Sequence, residues 1–299
     1  MRIITTAMNI PMRQVTNDDL SQTLDTSDEW ISQRTGIRKR YIASTETTYS
    51  MGLAVAQDLL TQSQVAPAAL DFIIVATMSP DHLTPSEANR IQGALKANNA
   101  YAFSVNVACA GFVYALHLAA NLLNGTATCG LVIASETLSR LVDWQDRKTA
   151  VLFGDGAGGV LVQRDAQPLP ISDLHSFGDN TQQLQVGAGI DSPYFAMDGQ
   201  AVYQFALREV VASLKRMPPA DIYLLHQANA RMLQAIARKV HLPLTQVPHN
   251  MAEYGNTSAA SIPILLHECI ADGRITRGQK LLLCGFGGGL AVGSILLTY

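Results

Sequence analysis

Cys109, His226 and Asn256 are the residues whose types and settings suit chemistry. Cys109 sits in Val105-Asn106-Val107-Ala108-Cys109-Ala110-Gly111-Phe112, where a run of strand character stops and a helical pattern begins. A thiol there meets the positive end of a helix dipole and free backbone N–H groups. Both favour thiolate, the nucleophilic form. A free Cys on an apolar helix is also commonly buried and inert, so position alone leaves both readings open. His226 ends the apolar run Asp221-Ile222-Tyr223-Leu224-Leu225-His226. Catalytic groups gather at the C-terminal ends of strands in open α/β sheets; a hydrogen-bonded core histidine is the alternative. Asn256 lies in Tyr254-Gly255-Asn256-Thr257-Ser258, a tight turn before a small-residue helix, where an ordinary turn Asn is equally at home. Gly285-Phe286-Gly287-Gly288-Gly289 lets backbone N–H groups approach a reacting atom or lets elements pack closely. A Cys with a His and an Asn suits acyl transfer from a thioester. The thiolate attacks, and neutral His and Asn donate hydrogen bonds to the developing oxyanion.

These residues need a frame that brings them together, and an internal repeat supplies one. Asp71-Phe72-Ile73-Ile74-Val75-Ala76 is echoed 150 positions later by Asp221 to His226. Leu131-Val132-Ile133-Ala134 is echoed at the same offset by Leu281-Leu282-Leu283-Cys284. Cys109 opens a helix in the first half, and Thr257 opens one 148 positions on. Gly156-Ala157-Gly158-Gly159-Val160-Leu161-Val162 resembles the segment from Gly289 to Leu297, where the offset drops to roughly 135. The first half therefore carries an insertion near 137–149. Strands alternating with helices, and apolar along their whole length, imply sheets covered on both faces. The expected fold class is α/β, two duplicated halves at 1–165 and 166–299. The first carries Cys109; the second carries His226 and Asn256. If a pseudo-twofold relates the halves, these residues and the Gly287–Gly289 loop converge.

Local signals fit this map. Thr26-Ser27-Asp28-Glu29 and Thr84-Pro85-Ser86-Glu87 have the form of capping boxes, the first with Thr26 as cap and the second with Pro at the first helical position. Gly36 suits a helix C-terminus. Gly154-Asp155-Gly156-Ala157-Gly158-Gly159 matches GxGxxG as a string, but strand-like Val160-Leu161-Val162 follows where a dinucleotide site needs a helix.

Composition narrows the class. The 299 residues are 48% hydrophobic and only 15% charged, against a usual charged share of about 25%. Low charge implies extensive buried surface, including a subunit interface. A net charge of −3 gives no reason to expect nucleic-acid binding. The four cysteines form no CxxC pair and no metal-ligand spacing. No metal or prosthetic group is expected, and a reducing cytoplasm is the expected location. The N-terminus lacks a signal-peptide apolar region, and no apolar run reaches membrane-spanning length.

Eight motifs in order resemble the thiolase superfamily and, within it, the β-ketoacyl-acyl-carrier-protein synthase III enzymes that start bacterial type II fatty-acid synthesis. They are Thr16-Asn17-Asp18-Asp19-Leu20, Asp25-Thr26-Ser27-Asp28-Glu29-Trp30-Ile31, Arg34-Thr35-Gly36-Ile37-Arg38, Ala108-Cys109-Ala110-Gly111-Phe112, Phe153-Gly154-Asp155-Gly156-Ala157-Gly158, His226-Gln227-Ala228-Asn229, Gly255-Asn256-Thr257-Ser258 and Gly285-Phe286-Gly287-Gly288-Gly289. The resemblance implies a thiolase-like fold in αβαβα layers and a decarboxylating condensation of acyl-CoA, such as acetyl-CoA, with malonyl-ACP. It implies that Cys109 carries the acyl group. His226 and Asn256 then hold the malonyl thioester, the N–H groups of Cys109 and Gly288 form the oxyanion hole, and Phe286 separates the half-reactions. Trp30 and Arg147 are implied to sandwich the CoA adenine, with Arg34 and Asn229 beside them. Gln227, Ala228, Asn229, Ala230 and Arg231 form the implied contact with acyl carrier protein. Arg231 and Arg238 are seven apart on one helix face, with Lys239 adjacent. A homodimer is also implied. Thr84 replaces a bulky residue of some members at the acyl pocket, which bears on chain preference. A condensing enzyme of secondary metabolism, or a non-catalytic paralogue, are the other two readings.

Overall fold

The structure, a computed structural model, describes residues 1–166, 168–178, 183–187 and 192–299. The chain begins with β1 (Arg2–Asn9), β2 (Arg13–Thr16), α1 (Asn17–Ser21), α2 (Asp28–Thr35), β3 (Lys39–Ile42) and α3 (Thr48–Ser63). It continues through β4 (Phe72–Ala76), α4 (Glu87–Leu95), β5 (Tyr101–Val105), α5 (Gly111–Asn124), β6 (Cys129–Glu136), α6 (Arg147–Ala150) and β7 (Gly156–Gln163). The second half holds β8 (Ile171–Ser176), the two-residue strands β9 (Leu184–Gln185) and β10 (Ala196–Met197), α7 (Gly199–Arg216) and β11 (Ile222–Leu225). It ends with α8 (Ala230–Lys239), α9 (Met251–Tyr254), α10 (Ser261–Ala271), β12 (Lys280–Gly287) and β13 (Ala291–Thr298).

Two sheets repeat one plan. The first has strand order β1-β7-β6-β4-β5 and the second β8-β13-β12-β11. In each, a parallel pair (β4 with β6, β11 with β12) is extended by two antiparallel strands. β5 is the extra strand, and it leaves an open edge on the first sheet.

Strands β4 and β6 are buried along their whole length, which explains why they carry no hydrophobic alternation. Their alternate residues feed different cores. Phe72, Ile74, Val132 and Ala134 meet Leu224, Leu283 and Ile295 of the second sheet through α5 and α10. Ile73, Val75, Leu131 and Ile133 pack instead against Met51, Val55 and Leu59 of α3 and Ile91 of α4. Tyr223, Leu225, Leu282 and Cys284 face Val210 of α7 and Leu233 and Ile236 of α8. The layers therefore run α3/α4, first sheet, α5/α10, second sheet, α7/α8, as an αβαβα fold. Among the described residues, no helix is long and apolar enough to cross a membrane.

The repeat has a different register at one point. Short 3₁₀ turns precede α5 at Ala108–Ala110 and α10 at Ser258–Ala260. They match at an offset of 150, so Cys109 corresponds to Ala259 rather than to Thr257. Both turns start from a left-handed residue, Ala108 at φ 43° and Ser258 at φ 51°. Each is held by an Asn two residues earlier: Asn106 Oδ1 accepts from the Ala108 N–H (3.1 Å) and Asn256 Oδ1 from the Ser258 N–H (2.9 Å). This local bond offsets the cost of an uncommon conformation.

Two caps also differ from the sequence expectation. Ser27, not Thr26, caps α2 and accepts from the Trp30 N–H at 3.1 Å. Ser86 caps α4, which leaves Thr84 and Pro85 outside the helix. In both cases the extended residue nearest the first helical turn takes the N3 N–H. Gly36 ends α2 at φ 81°. A side chain there would also strike Ala230 Cβ, because α2 packs against α8 across the halves. Val15, Leu20, Ile31 and Ile37 accordingly share a core with Met232 and Leu233.

Candidate active site

Cys109 lies in the 3₁₀ turn just before α5, and β12 presses against it. A side chain on Gly285 would meet Ala110 Cα at 2.8 Å, and one on Gly287 would meet Cys109 Cβ at 2.9 Å and Sγ at 3.2 Å. Glycine is needed at these two strand positions because the nucleophile's own backbone fills the space. Burial pushes the Cys109 thiol up to about 12, although the Ser258 hydroxyl draws it down. A helix dipole is worth at most about 2 kcal/mol, roughly one and a half pKa units. That is smaller than the rise from 9 to about 12. Burial, which raises the thiol, therefore outweighs the helix dipole, which lowers it.

His226 follows β11, whose backbone register is kept by a bond from the His226 N–H to the Cys284 carbonyl at 2.8 Å. Its Nδ1 lies 2.8 Å from Ser261 Oγ at the start of α10. Burial drives its pKa down to about 3, against the Ser258 backbone, which pulls it up. The imidazole is neutral across the physiological range and acts as a hydrogen-bonding group rather than a cation. Phe286 meets it edge-on, with ring centroids 5.2 Å apart.

Asn256 is fixed from three sides. Its N–H donates to the Leu152 carbonyl at 2.9 Å, its carbonyl accepts from Gly154 at 3.0 Å, and its Oδ1 is taken by Ser258. The side-chain NH2 is thus the group left to donate. Gly154 and Gly255 permit this approach: side chains there would strike the Tyr254 carbonyl and, at 2.9 Å, the Leu152 carbonyl. The GxGxxG string is a close-packing device that leads into β7.

One cavity of about 810 Å³ is lined by Cys109, His226, Asn256, Phe286 and Gly288. The three polar residues are only 7, 2 and 8% exposed, which places them at its floor. A neutral imidazole, an amide NH2 and glycine-loop N–H groups surround a thiol in a mostly apolar hollow. Such a site can take an acyl group onto sulfur and stabilise negative charge on a carbonyl oxygen.

Trp30, Arg34, Ala228 and Asn229 also line the cavity. The expected aromatic slot is closed: the guanidinium carbons of Arg34 and Arg147 lie 4.7 and 5.0 Å from the Trp30 ring centre. A flat base between Trp30 and Arg147 needs two contact distances, about 7 Å. Arg147 also donates to the Asp25 carbonyl at 2.6 Å. Asn229 Oδ1 caps α8 through the N–H groups of Arg231 and Met232, and its Nδ2 donates to the Arg34 carbonyl. It therefore ties α2 to α8.

Gln227 belongs to the stretch expected to contact carrier protein. It is buried, its Nε2 donates to the Leu225 carbonyl, and its Oε1 accepts from the Asn250 N–H. Its side chain braces the strand end. Ala228 and Ala230 are half-buried, whereas Arg231, Arg238 and Lys239 are exposed.

Sequence reasoning missed Asn106, Ser258 and Ser261. Asn106 and Ser258 were detectable, since the 150-residue offset pairs Asn106 with Asn256 and Ala108 with Ser258. Ser261, 35 residues from His226, carried no signal beyond a small residue at a helix start.

Two family descriptions match the chain: "3-Oxoacyl-[acyl-carrier-protein (ACP)] synthase III" over residues 103–179 and its C-terminal counterpart over 215–299. β-Ketoacyl-[acyl-carrier-protein] synthase III 2 of Lactiplantibacillus plantarum is 47% identical over 99% of this chain and 98% of that protein. The synthase III of Oenococcus oeni is 47% identical over 100% of this chain and 99% of its own. The crystal structure of 3-oxoacyl-[acyl-carrier-protein] synthase III from Aquifex aeolicus superposes with a TM-score of 0.92 at 41% identity, covering 99% of each chain.

Proposed function

The chain belongs to the 3-oxoacyl-[acyl-carrier-protein] synthase III family, and on that premise we propose that its cavity condenses an acyl-CoA primer with malonyl-ACP. It is an acyltransferase of fatty-acid biosynthesis, a β-ketoacyl-ACP synthase III. The observation that carries the site assignment is the meeting of Cys109, His226 and Asn256 on one cavity floor.

Cys109 attacks the acyl-CoA thioester. The S–C bond to CoA breaks as the bond to Sγ forms, and the thiol proton leaves with CoA. The N–H groups of Cys109 and Gly288 receive the oxyanion. Malonyl-ACP enters next. His226 and the Asn256 NH2 donate to its thioester carbonyl, so the electrons released with carbon dioxide rest on that oxygen as an enolate. The enolate carbon attacks the acyl-Cys109 carbonyl, 3-oxoacyl-ACP forms, and the released thiolate takes a proton from solvent. Nucleophile and donors all come from the chain, so the chemistry requires no metal or prosthetic group. Phe286, edge-on to His226, divides the acyl side from the malonyl side. Trp30, Arg34 and Asn229 border the CoA path, and Arg147 yields its place on Trp30 to the adenine.

Exposed Arg231, with Arg238 and Lys239, gives α8 a cationic face for the acidic carrier protein, flanked by Ala228 and Ala230. The open β5 edge, with Tyr101 exposed on it, suits a second copy of this chain in a homodimer. The expected location is the cytoplasm, and residues 1–165 and 166–299 act as two halves of one catalytic unit.

Incubating the protein with acetyl-CoA and malonyl-ACP tests this function. Carbon dioxide and acetoacetyl-ACP in equal amounts are expected, with an acyl adduct on Cys109 in the intact mass. Product only from malonyl-CoA would move the enzyme to secondary metabolism, and absence of any adduct would mark a non-catalytic protein. Gly287→Ala puts a methyl group against Cys109 Cβ and Sγ. It is expected to slow acylation about 100-fold by displacing the sulfur, read as adduct formed against time. Normal acylation in this variant would remove the steric role of the glycine.

A further inference from the structure

Ser261 has no part in the family-level chemistry above, yet its hydroxyl is in direct contact with the imidazole that performs it. Both residues are buried, at 2% exposure each. Ser261 Oγ lies 2.8 Å from His226 Nδ1, and the Gln227 backbone N–H donates to the same oxygen at 3.3 Å. A hydroxyl has one proton and two lone pairs. If Nδ1 carried the imidazole proton, Oγ would accept twice and its own proton would need another acceptor; the described residues give it none. If Oγ–H donates to a bare Nδ1, the hydroxyl and Nδ1 are both satisfied. A buried unpaired hydroxyl is costly, so the second arrangement is favoured. The proton of the neutral ring then sits on Nε2, the nitrogen left for the substrate.

We propose that Ser261 is a positioning residue that holds His226 in the Nε2–H tautomer, making it a hydrogen-bond donor to the malonyl thioester. This rests on the reading of His226 as that donor. The Ser258 backbone also pulls the imidazole pKa up, against burial. Without the Ser261 hydroxyl, Nδ1 loses its donor, and nothing then keeps the ring proton on Nε2. Gln227 connects the device to its surroundings, because its backbone supplies the N–H that commits the hydroxyl while its side chain anchors Asn250. Cys109 acylation does not use the Nε2 proton, so the two half-reactions must respond differently.

The test combines a spectrum with a split in kinetics. In the wild-type protein carrying 15N-labelled histidine, the His226 signals, assigned by their loss in His226→Gln, are expected to show a protonated Nε2 and a bare Nδ1. A protonated Nδ1 overturns the proposal, and this spectrum decides alone if Ser261→Ala fails to fold. Ser261→Ala is expected to move the proton to Nδ1. It is expected to lower kcat for malonyl-ACP decarboxylation about 10-fold to 100-fold, with KM and the rate of Cys109 acylation within about 3-fold of wild type. Ser261→Thr, which keeps the hydroxyl, restores decarboxylation. Wild-type decarboxylation in Ser261→Ala, or an equal loss of acylation, overturns the proposal. If His226→Ala itself decarboxylates normally, the assignment of His226 fails instead, whatever its tautomer.

Discussion

Cys109→Ser is expected to lower acyl transfer by roughly 10⁴-fold or more, the scale seen when a covalent nucleophile is removed. The substitution barely changes volume, and the site is held by the backbone of β12 and the Asn106 turn rather than by the sulfur, so the fold is preserved. What changes is the acidity and polarisability of the attacking atom. The thiol is already disfavoured as an anion, pushed up to about 12 by burial, and a hydroxyl in that hollow is disfavoured much further. Nothing in the surroundings compensates, because the neutral His226 is too weak a base to draw a proton from an alcohol. The measurement is the intact mass after exposure to acetyl-CoA, together with acetoacetyl-ACP formation. Decarboxylation of malonyl-ACP persists in this variant, since His226 and Asn256 keep their bonds. Full acyl transfer by Cys109→Ser would sink the covalent mechanism.

The frame around these residues was legible because burial on both strand faces leaves a direct mark: Phe72 to Ala76 and Leu281 to Cys284 are unbroken apolar runs, and each became a central strand. The repeat offset then carried the meeting of Cys109 with His226 and Asn256, since equivalent turns at the ends of equivalent strands reach one cavity. Properties set by tertiary surroundings were not legible. Cys109 has the helix position of an activated thiol, but its protonation is decided by depth, which no local pattern encodes. Gln227 stands in a motif with half-buried neighbours, and only the fold shows its amide spent on Leu225 and Asn250. Arg147 and Trp30 are 117 residues apart in the sequence, which says nothing of whether they touch or leave a gap for a base. Ser27 and Ser86 took over the caps because the backbone, not the S/T-x-x-E string, decides which residue is extended at a helix start.

His226→Ala and Asn256→Ala are each expected to slow malonyl-ACP decarboxylation by about 10²- to 10³-fold, the usual effect of losing one oxyanion donor. Acylation of Cys109 by acyl-CoA is expected to stay within about 10-fold, because its oxyanion is received by backbone N–H groups that neither substitution removes. The two donors serve one oxygen, so the double variant should lose less than the product of the single losses. The pH dependence separates this role from acid–base catalysis. His226 stays neutral down to about 3, so the ratio of wild-type to His226→Ala decarboxylation is flat between about pH 5 and 8. An imidazole of ordinary pKa would make that ratio bend near 6.5. The same depression has a sign for stability. The folded chain refuses a proton that the unfolded chain binds below 6.5; the contribution of neutral His226 is whole above that pH and is lost progressively as pH falls toward about 3. An acid-unfolding curve of His226→Gln, shallower over this window than wild type, is the matching observation. A variant of either residue that failed to acylate Cys109 yet decarboxylated malonyl-ACP at the wild-type rate would reverse the assignment, placing His226 and Asn256 on the acyl side of the reaction.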